Sequence, residues 1–306
     1  MLFVKSDSKT NPNPLTIAVL GTSALSFYLA SELQKAGHRL SLICTPREAD
    51  EYNATDFIFK DGRRLQNHRQ TFRCSFELED TPQLLLIASE QSRLRSDLLL
   101  LSPARLTDCR VVSFTPAQPS GLLSDVLGCP VVNAYFNGWL AKDKNHITLL
   151  SSRSNIVFSL EEHSSQTVFL QDAFIGTTIE TGAAADNAAN FWRWFTPRIM
   201  AALLDFSSGK NIYSFGKTAE GRKILDSCIK EIITLAAADN VRLDSAEILP
   251  QLYNIPDNYA PYPSVKAAEK ALELERLNAL LFSGVAADDR RFPVLRGLLR
   301  QIRNKC

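Results

Sequence analysis

Residues 15–21 read Leu-Thr-Ile-Ala-Val-Leu-Gly, and Thr22-Ser23-Ala24-Leu25-Ser26 follow. The run 15–20 is apolar apart from Thr16 at its start, as a strand buried on both faces requires. Gly21 ends it. Leu25, Tyr28, Leu29, Leu33 and Ala36 then recur at helical spacing, and Gly37 stands where a helix C-terminus favours glycine. Residues 39–44 (Arg-Leu-Ser-Leu-Ile-Cys) form the next strand. Strand, helix and strand in so short a span predict a parallel β-α-β unit with a right-handed crossover.

The alternation continues outward from this unit. Strands are expected over 56–59 and 71–78, flanking an Asp61-Gly62 turn, and over 82–88. A helix over 92–102, a strand over 111–114, a loop from Pro116 to Gly121, a short helix to Leu127 and a strand over 130–136 follow. Segments 147–150, 155–160 and 167–170 read as antiparallel strands at the sheet edge. Near Gly182 the pattern changes. Ala-rich sequence leads into helical periodicity over 191–206, 218–239, 244–254, 264–282 and 293–304, with three prolines in the loop 254–263. The predicted class is α/β. A flexible tail (1–14) precedes a Rossmann-type dinucleotide-binding domain (15–182), and an all-helical C-terminal domain (183–306) follows it.

Composition narrows the partners. The 306 residues carry a formal net charge of +1, with 45% hydrophobic and 22% charged residues. Such a chain can bury a core without disulfides or metals, and nothing in its overall charge calls for nucleic acid or an anionic membrane. Six cysteines are scattered without a C-x-x-C pair or a Cys/His cluster, so no zinc site is expected. Cys44 and Cys109 read as small buried hydrophobes of a reducing compartment. The first residues lack a signal-peptide core, and no apolar run approaches the ~20 residues of a membrane span. A cytoplasmic protein that meets a small-molecule substrate or metabolite is the expectation.

The turn after the first strand is the place for a dinucleotide fingerprint, G-x-G-x-x-G. Here it reads Gly21-Thr22-Ser23-Ala24-Leu25-Ser26, and only the first glycine stands. Ser23 and Ser26 are small and could hydrogen-bond phosphate. Two readings remain open: a nucleotide-binding turn formed by Gly21, Thr22, Ser23, Ala24 and Leu25, or simply a tight strand-to-helix turn. After the second strand, Cys44-Thr45-Pro46-Arg47 offers no immediate carboxylate. Arg47 could pair with a ribose 2′-phosphate, which favours NADP, or be a solvated loop arginine.

The layout resembles the ketopantoate reductase family, in a run of weak matches across nearly the whole chain. The segments LTIAVLG, LASELQKAGHRLSLIC, LLLIASE, VVSFTPAQPSGLLSDVLG, FWRWFTPRIMAALL, CIKEIITLAAADNVRL and PSVKAAEKALELERLNALLFSG carry it. The resemblance implies a Rossmann domain, a helical domain, an active site between them and a homodimer, as two-fold dimers are common. It also locates departures. The lysine that the family has after its fourth strand falls on Glu90, or on Ser89 in a shifted register. The Asn-Gly after the fifth strand is replaced by Thr115-Pro116-Ala117. The general-acid lysine falls on Trp194, and asparagines of that helix face fall on Arg198 and Ala202. The substrate serine is kept as Ser264, and the later glutamate falls on Glu275, one residue out of register, or on Glu273.

Tryptophan cannot donate the proton that ketone reduction needs, a step worth ~10²–10⁴-fold in rate. Glu90 reverses the charge offered to an anionic 2-oxo acid. Ketopantoate reduction by the usual mechanism is therefore not expected. Arg198, Glu90, Ser264, Lys266, Tyr259 and Tyr262 are candidates for one cleft, where Arg198 and Glu90 form either a structural ion pair or a carboxylate or phosphate clamp. Trp192 and Trp194 lie on opposite sides of their helix, so at least one is packing. His38 reads as structural, and His146 and His163 lack nucleophilic partners. Three functions follow: an NADP-dependent oxidoreductase on a CH–OH or keto group, with its acid from Lys266 or a tyrosine; a catalytically inactive nucleotide or metabolite sensor; or an interaction protein.

Overall fold

The computed structural model describes residues 10–61, 67–90, 92–115, 120–208, 212–253, 255–256, 259, 278–279, 281–282 and 290–303. Strand β1 (Thr16–Leu20) lies inside the main sheet because Ile17 to Leu20 have only apolar side chains to bury on either face. Parallel neighbours flank it: β2 (Arg39–Ile43) on one side and β6 (Leu84–Ile87) on the other. The sheet has eight strands in the order β12-β11-β8-β7-β6-β1-β2-β5. Its other members are β5 (Cys74–Ser75), β7 (Arg110–Ser113), β8 (Val131–Asn137), β11 (Asn155–Phe158) and β12 (Glu180–Ala183). The chain runs from β1 outward to β2 and β5, then returns to β6 and proceeds the other way. The switch point of this doubly wound sheet therefore lies between β1 and β6.

Helix α1 (Ala24–Lys35) follows β1, and its Phe27, Leu29 and Leu33 are fully buried. Over this helix packs a second sheet of four strands, β4 (Asn67–Gln70), β3 (Phe57–Asp61), β10 (His146–Leu149) and β9 (Leu140–Asp143). Phe27 stacks on Phe57 with ring centroids 4.3 Å apart. The remaining helices of this part are α2 (Pro46–Asn53), α3 (Leu94–Leu98), α4 (Ser120–Leu127) and α5 (Ser165–Ala173).

Several local expectations are corrected. Residues 71–78 form only the short β5, because Asn53 turns its amide onto Cys74, accepting from the Cys74 N–H (2.8 Å) and donating to its carbonyl (2.9 Å). Residues 167–170 are helical, not extended. Ser164 caps them by accepting from the Thr167 amide at 3.1 Å, which satisfies a helix-end donor. The helix expected over 92–102 shortens to α3, followed by a 3-10 turn over Pro103–Arg105. At the edge, β11 is antiparallel to β8, as expected, but β12 is parallel to β11. Helix α2 was not anticipated. Of the expected tail, residues 10–14 are described, and Asn11 is anchored there: its amide donates to the Asp172 carbonyl at 2.6 Å and its backbone N–H to that of Ala36 at 2.7 Å.

The chain divides into two units, Met1–Asn187 and Ala188–Cys306. The second is helical where described: α6 (Asn187–Ser208), α7 (Ile212–Gly216), α8 (Ala219–Ala238), α9 (Ser245–Tyr253) and α10 (Pro293–Arg303). Trp192 is core in this unit and donates its indole N–H to Asp239 at 2.9 Å. Glu231 of α8 accepts from the Val294 and Leu295 amides at 2.9 and 2.8 Å, capping α10. No helix among the described residues is long and apolar enough to cross a membrane.

Candidate functional site

The site is built from the first turn upward. Gly21 has φ +106°, and a Cβ there would lie 2.6 Å from the Ser89 Cα. Glycine is thus required both by backbone conformation and by the close approach of β1 to the end of β6. Ser23 is the N-cap of α1. Its Oγ accepts from the Ser26 amide at 3.0 Å, while the Ser23 amide donates to Ser26 Oγ at 3.2 Å. Both hydroxyls donate to the Ala88 carbonyl, at 2.6 and 3.0 Å. The serines are therefore turned inward and do not offer the phosphate contact that the sequence left open to them. What the turn does offer is backbone. The Ala24 and Leu25 amides, at the first two helical positions, have no acceptor among the described residues. Such amides at a helix N-terminus favour an anionic oxygen, and they fit a pyrophosphate.

The side chain of Thr22 points the other way, into a charged network. Arg93, just before α3, donates to Thr22 Oγ1 at 2.8 Å, and Thr22 Oγ1 donates to Glu48 Oε1 at 3.2 Å. Arg93 and Glu48 pair through both guanidinium Nη atoms, with Nη2 to Oε2 at 2.8 Å. Arg93 also reaches the buried Asp97 at 3.3 Å. Burial would raise the Glu48 carboxyl, but Arg93 and Thr45 outweigh it and hold it down at about 2. Glu48 also caps α2, accepting from Thr45 N at 3.1 Å and Thr45 Oγ1 at 2.7 Å. Burial raises Asp97.

From the second sheet, Lys142 of β9 donates Nζ to the Thr22 carbonyl at 2.7 Å, above the rings of Phe27 (4.7 Å) and Tyr52 (5.5 Å). Burial pulls its pKa down, against the carboxylates of Glu90 and Glu48. This bond ties β9 to the first turn and brings a cation to the residue that precedes the N-cap of α1.

The other sequence candidates are spread more widely. Arg47 lies exposed in the first turn of α2, with no side-chain bond among the described residues. Glu90 is exposed beyond β6, and its carbonyl accepts the Arg93 amide at 2.9 Å. Ser89 is buried and donates to the Leu20 carbonyl at 3.3 Å. Thr115 is buried, its hydroxyl 2.6 Å from Ser113 Oγ. In the helical unit, Arg198 donates to the Trp194 carbonyl at 2.9 Å with its guanidinium 4.5 Å above the Trp194 ring. Burial lowers its pKa, against an interaction with Tyr259. Ser264, Lys266, Glu273, Glu275 and Tyr262 lie outside the described residues. Glu48, Arg93 and Lys142 escaped the sequence reading. Only Glu48 left a signal: Thr45-Pro46-Arg47-Glu48 has the Ser/Thr-x-x-Glu spacing of a capping box, with proline at the first helical position. His38 is structural, accepting the Leu15 amide at Nδ1 (2.9 Å) and donating Nε2 to the Ala173 carbonyl (2.8 Å).

No protein-family model matches this sequence, and no curated protein is recognisably similar to it. Solved structures, by contrast, match almost end to end. A ketopantoate reductase from Ralstonia eutropha is similar at TM-score 0.73 and 18% identity, over 94% of this chain and 98% of its own. A 2-dehydropantoate 2-reductase from Geobacter metallireducens reaches TM-score 0.77 at 13% identity, over 95% and 99%. The fold is that of the ketopantoate reductases. It is shared by D-mandelate dehydrogenase in its ternary structure with NADH and anilino(oxo)acetate, at TM-score 0.75 and 15% identity, over 94% of this chain and 97% of that one. Within the ketopantoate reductase fold, the open amides of Ala24 and Leu25 stand at the switch point where such sheets receive ligands.

Proposed function

We propose that this protein is a nicotinamide-dinucleotide-dependent oxidoreductase that acts on a CH–OH or keto group of a small metabolite other than ketopantoate. The observation that carries the reading is the pair of amides at Ala24 and Leu25, in the first β-α turn, which have no acceptor among the described residues. They would hold the pyrophosphate, while Lys142 supplies countercharge and Gly21 lets the strands approach. The bound cofactor would supply the hydride. This chain's residues would orient it and deliver a proton from a position other than 194, where the indole is covered by Arg198. Lys266 is the candidate donor. Ser264 and Glu275 would contact substrate, with Arg198 and Glu90 kept as structural groups. A cytoplasmic homodimer completes the proposal, and light scattering tests the dimer.

The test is oxidation of NADH and NADPH by the purified protein across a panel of 2-oxo acids and imines, followed by the loss of reduced nicotinamide. Turnover with at least one panel member, and none with ketopantoate, is expected. The covered Trp194 favours a second reading, a sensor that kept the crevice and lost the chemistry. Cofactor binding without turnover on any compound would replace the first reading with the second. Absence of binding would leave the interaction protein.

A further inference from the structure

We propose that Glu48 makes this a crevice for NAD(H) in preference to NADP(H); the inference rests on the dinucleotide-dependent reading above. In a doubly wound sheet, a dinucleotide whose pyrophosphate lies on the α1 amides places its adenosine ribose beyond the end of β2. Helix α2 starts there. Its Glu48 reaches back to the first turn through Thr22, at 3.2 Å, so the carboxylate links the turn after β1 to the helix that follows β2.

The electrostatics of this place oppose a phosphate. Arg93 is the cation joined to Glu48, and its guanidinium is already matched by two carboxylates: both its Nη atoms face Glu48, and Nη2 also reaches Asp97 at 3.3 Å. A 2′-phosphate would have to open that pair and would then face an ionised Glu48. The same place accepts a hydroxyl. Thr22 Oγ1 already sits there, donating to Glu48 and accepting from Arg93 at 2.8 Å. A ribose 2′-hydroxyl has the same donor and acceptor capacity. It can take the place of Thr22 on Glu48 Oε1, where the bond is the longest that carboxylate makes. Arg47, on which the expectation of NADP rested, is exposed and makes no side-chain bond among the described residues.

The experiment is a calorimetric titration of the full-length protein with NADH and with NADPH, in the wild type and in Glu48→Gln. Glutamine keeps the volume and frees the Arg93 charge. The wild type is expected to bind NADH at least about tenfold more tightly than NADPH, and E48Q to shrink or invert that ratio. Equal binding, or tighter NADPH binding, in the wild type overturns the proposal while leaving the dinucleotide reading intact. An unchanged ratio in a folded E48Q overturns the role of Glu48. Failure of both cofactors to bind the wild type overturns the dinucleotide reading and this inference together. Should E48Q not fold, the wild-type ratio still decides.

Discussion

Replacing Gly21 by alanine separates two reasons for a glycine at the first turn. One is steric room for a bound pyrophosphate; the other is room for the protein's own backbone. At φ +106°, a Cβ at this position would stand 2.6 Å from Ser89 Cα, 2.7 Å from its Oγ and 2.9 Å from its amide nitrogen. Two of those three atoms are main chain at the end of β6, so a side-chain rotation cannot relieve the clash. The left-handed backbone costs an L-residue ~1–2 kcal/mol, and overpacking costs ~1–3 kcal/mol. Together they predict a loss of roughly 2–5 kcal/mol. For a unit of this size each kcal/mol moves the midpoint by about 2–4 °C, so thermal unfolding of Gly21→Ala should begin about 10 °C lower. Urea titration with an unchanged m-value would assign the effect to the native state. A variant that lost less than about 1 kcal/mol would refute the argument. If such a variant bound cofactor poorly while keeping its stability, Gly21 would be there for the ligand instead.

Two further outcomes follow from partners seen elsewhere in the chain. Glu231→Ala deprives the Val294 and Leu295 amides of their acceptor, and should cost the helical unit about 3–6 kcal/mol in urea denaturation, since bonds to charged groups are each worth ~1.5–3 kcal/mol; a loss below about 0.5 kcal/mol would show that water replaces the carboxylate. Burial holds His38 below its ordinary value of 6.5, against the favourable contact with the Ala173 carbonyl. The unfolded chain therefore binds more protons than the folded one just below that pH. Stability should be complete above it and fall as the solution is acidified through it. His38→Gln should weaken this pH dependence without abolishing it, because burial also depresses His68; an identical pH profile in the variant would contradict the assignment.

The fold was legible because its central unit is written locally. The run Ile17 to Leu20 has no polar residue to expose, and helical periodicity starts and stops at Gly21 and Gly37. Legibility failed where propensity and context disagree. Thr167, Val168 and Phe169 are strand formers, yet Ser164 caps them into α5, which buries Leu170 and Ala173 on one helical face. Strand β9 was missed because Leu140–Asp143 carries two charged residues in four. Its lysine is half-buried because a second sheet closes over α1, and that sheet is assembled from segments far apart in sequence.

The same difference in range explains what was readable at the site. Resemblance to a family compares positions, so it implies where a lysine or asparagine would be replaced, at Trp194, Glu90 and Thr115. It could not show the contacts that build the turn, because these join distant residues: Lys142 meets Thr22 across 120 positions, and Arg93 meets Glu48 across 45. The fingerprint itself illustrates the point. Glycine at position 26 would serve to let α1 pack close to the sheet. Serine achieves that contact differently, by bonding the Ala88 carbonyl from a fully buried position. Serine at 23 keeps φ at −69°, so no left-handed residue is needed there and no strain arises from the missing glycine. The two serines thus hold the turn while leaving the next two amides open. A count of glycines judges this turn degenerate; the direction of its amides does not. The ability to bind a dinucleotide depends on the amides, which is why cofactor titration, and not the motif, decides between enzyme, sensor and interaction protein.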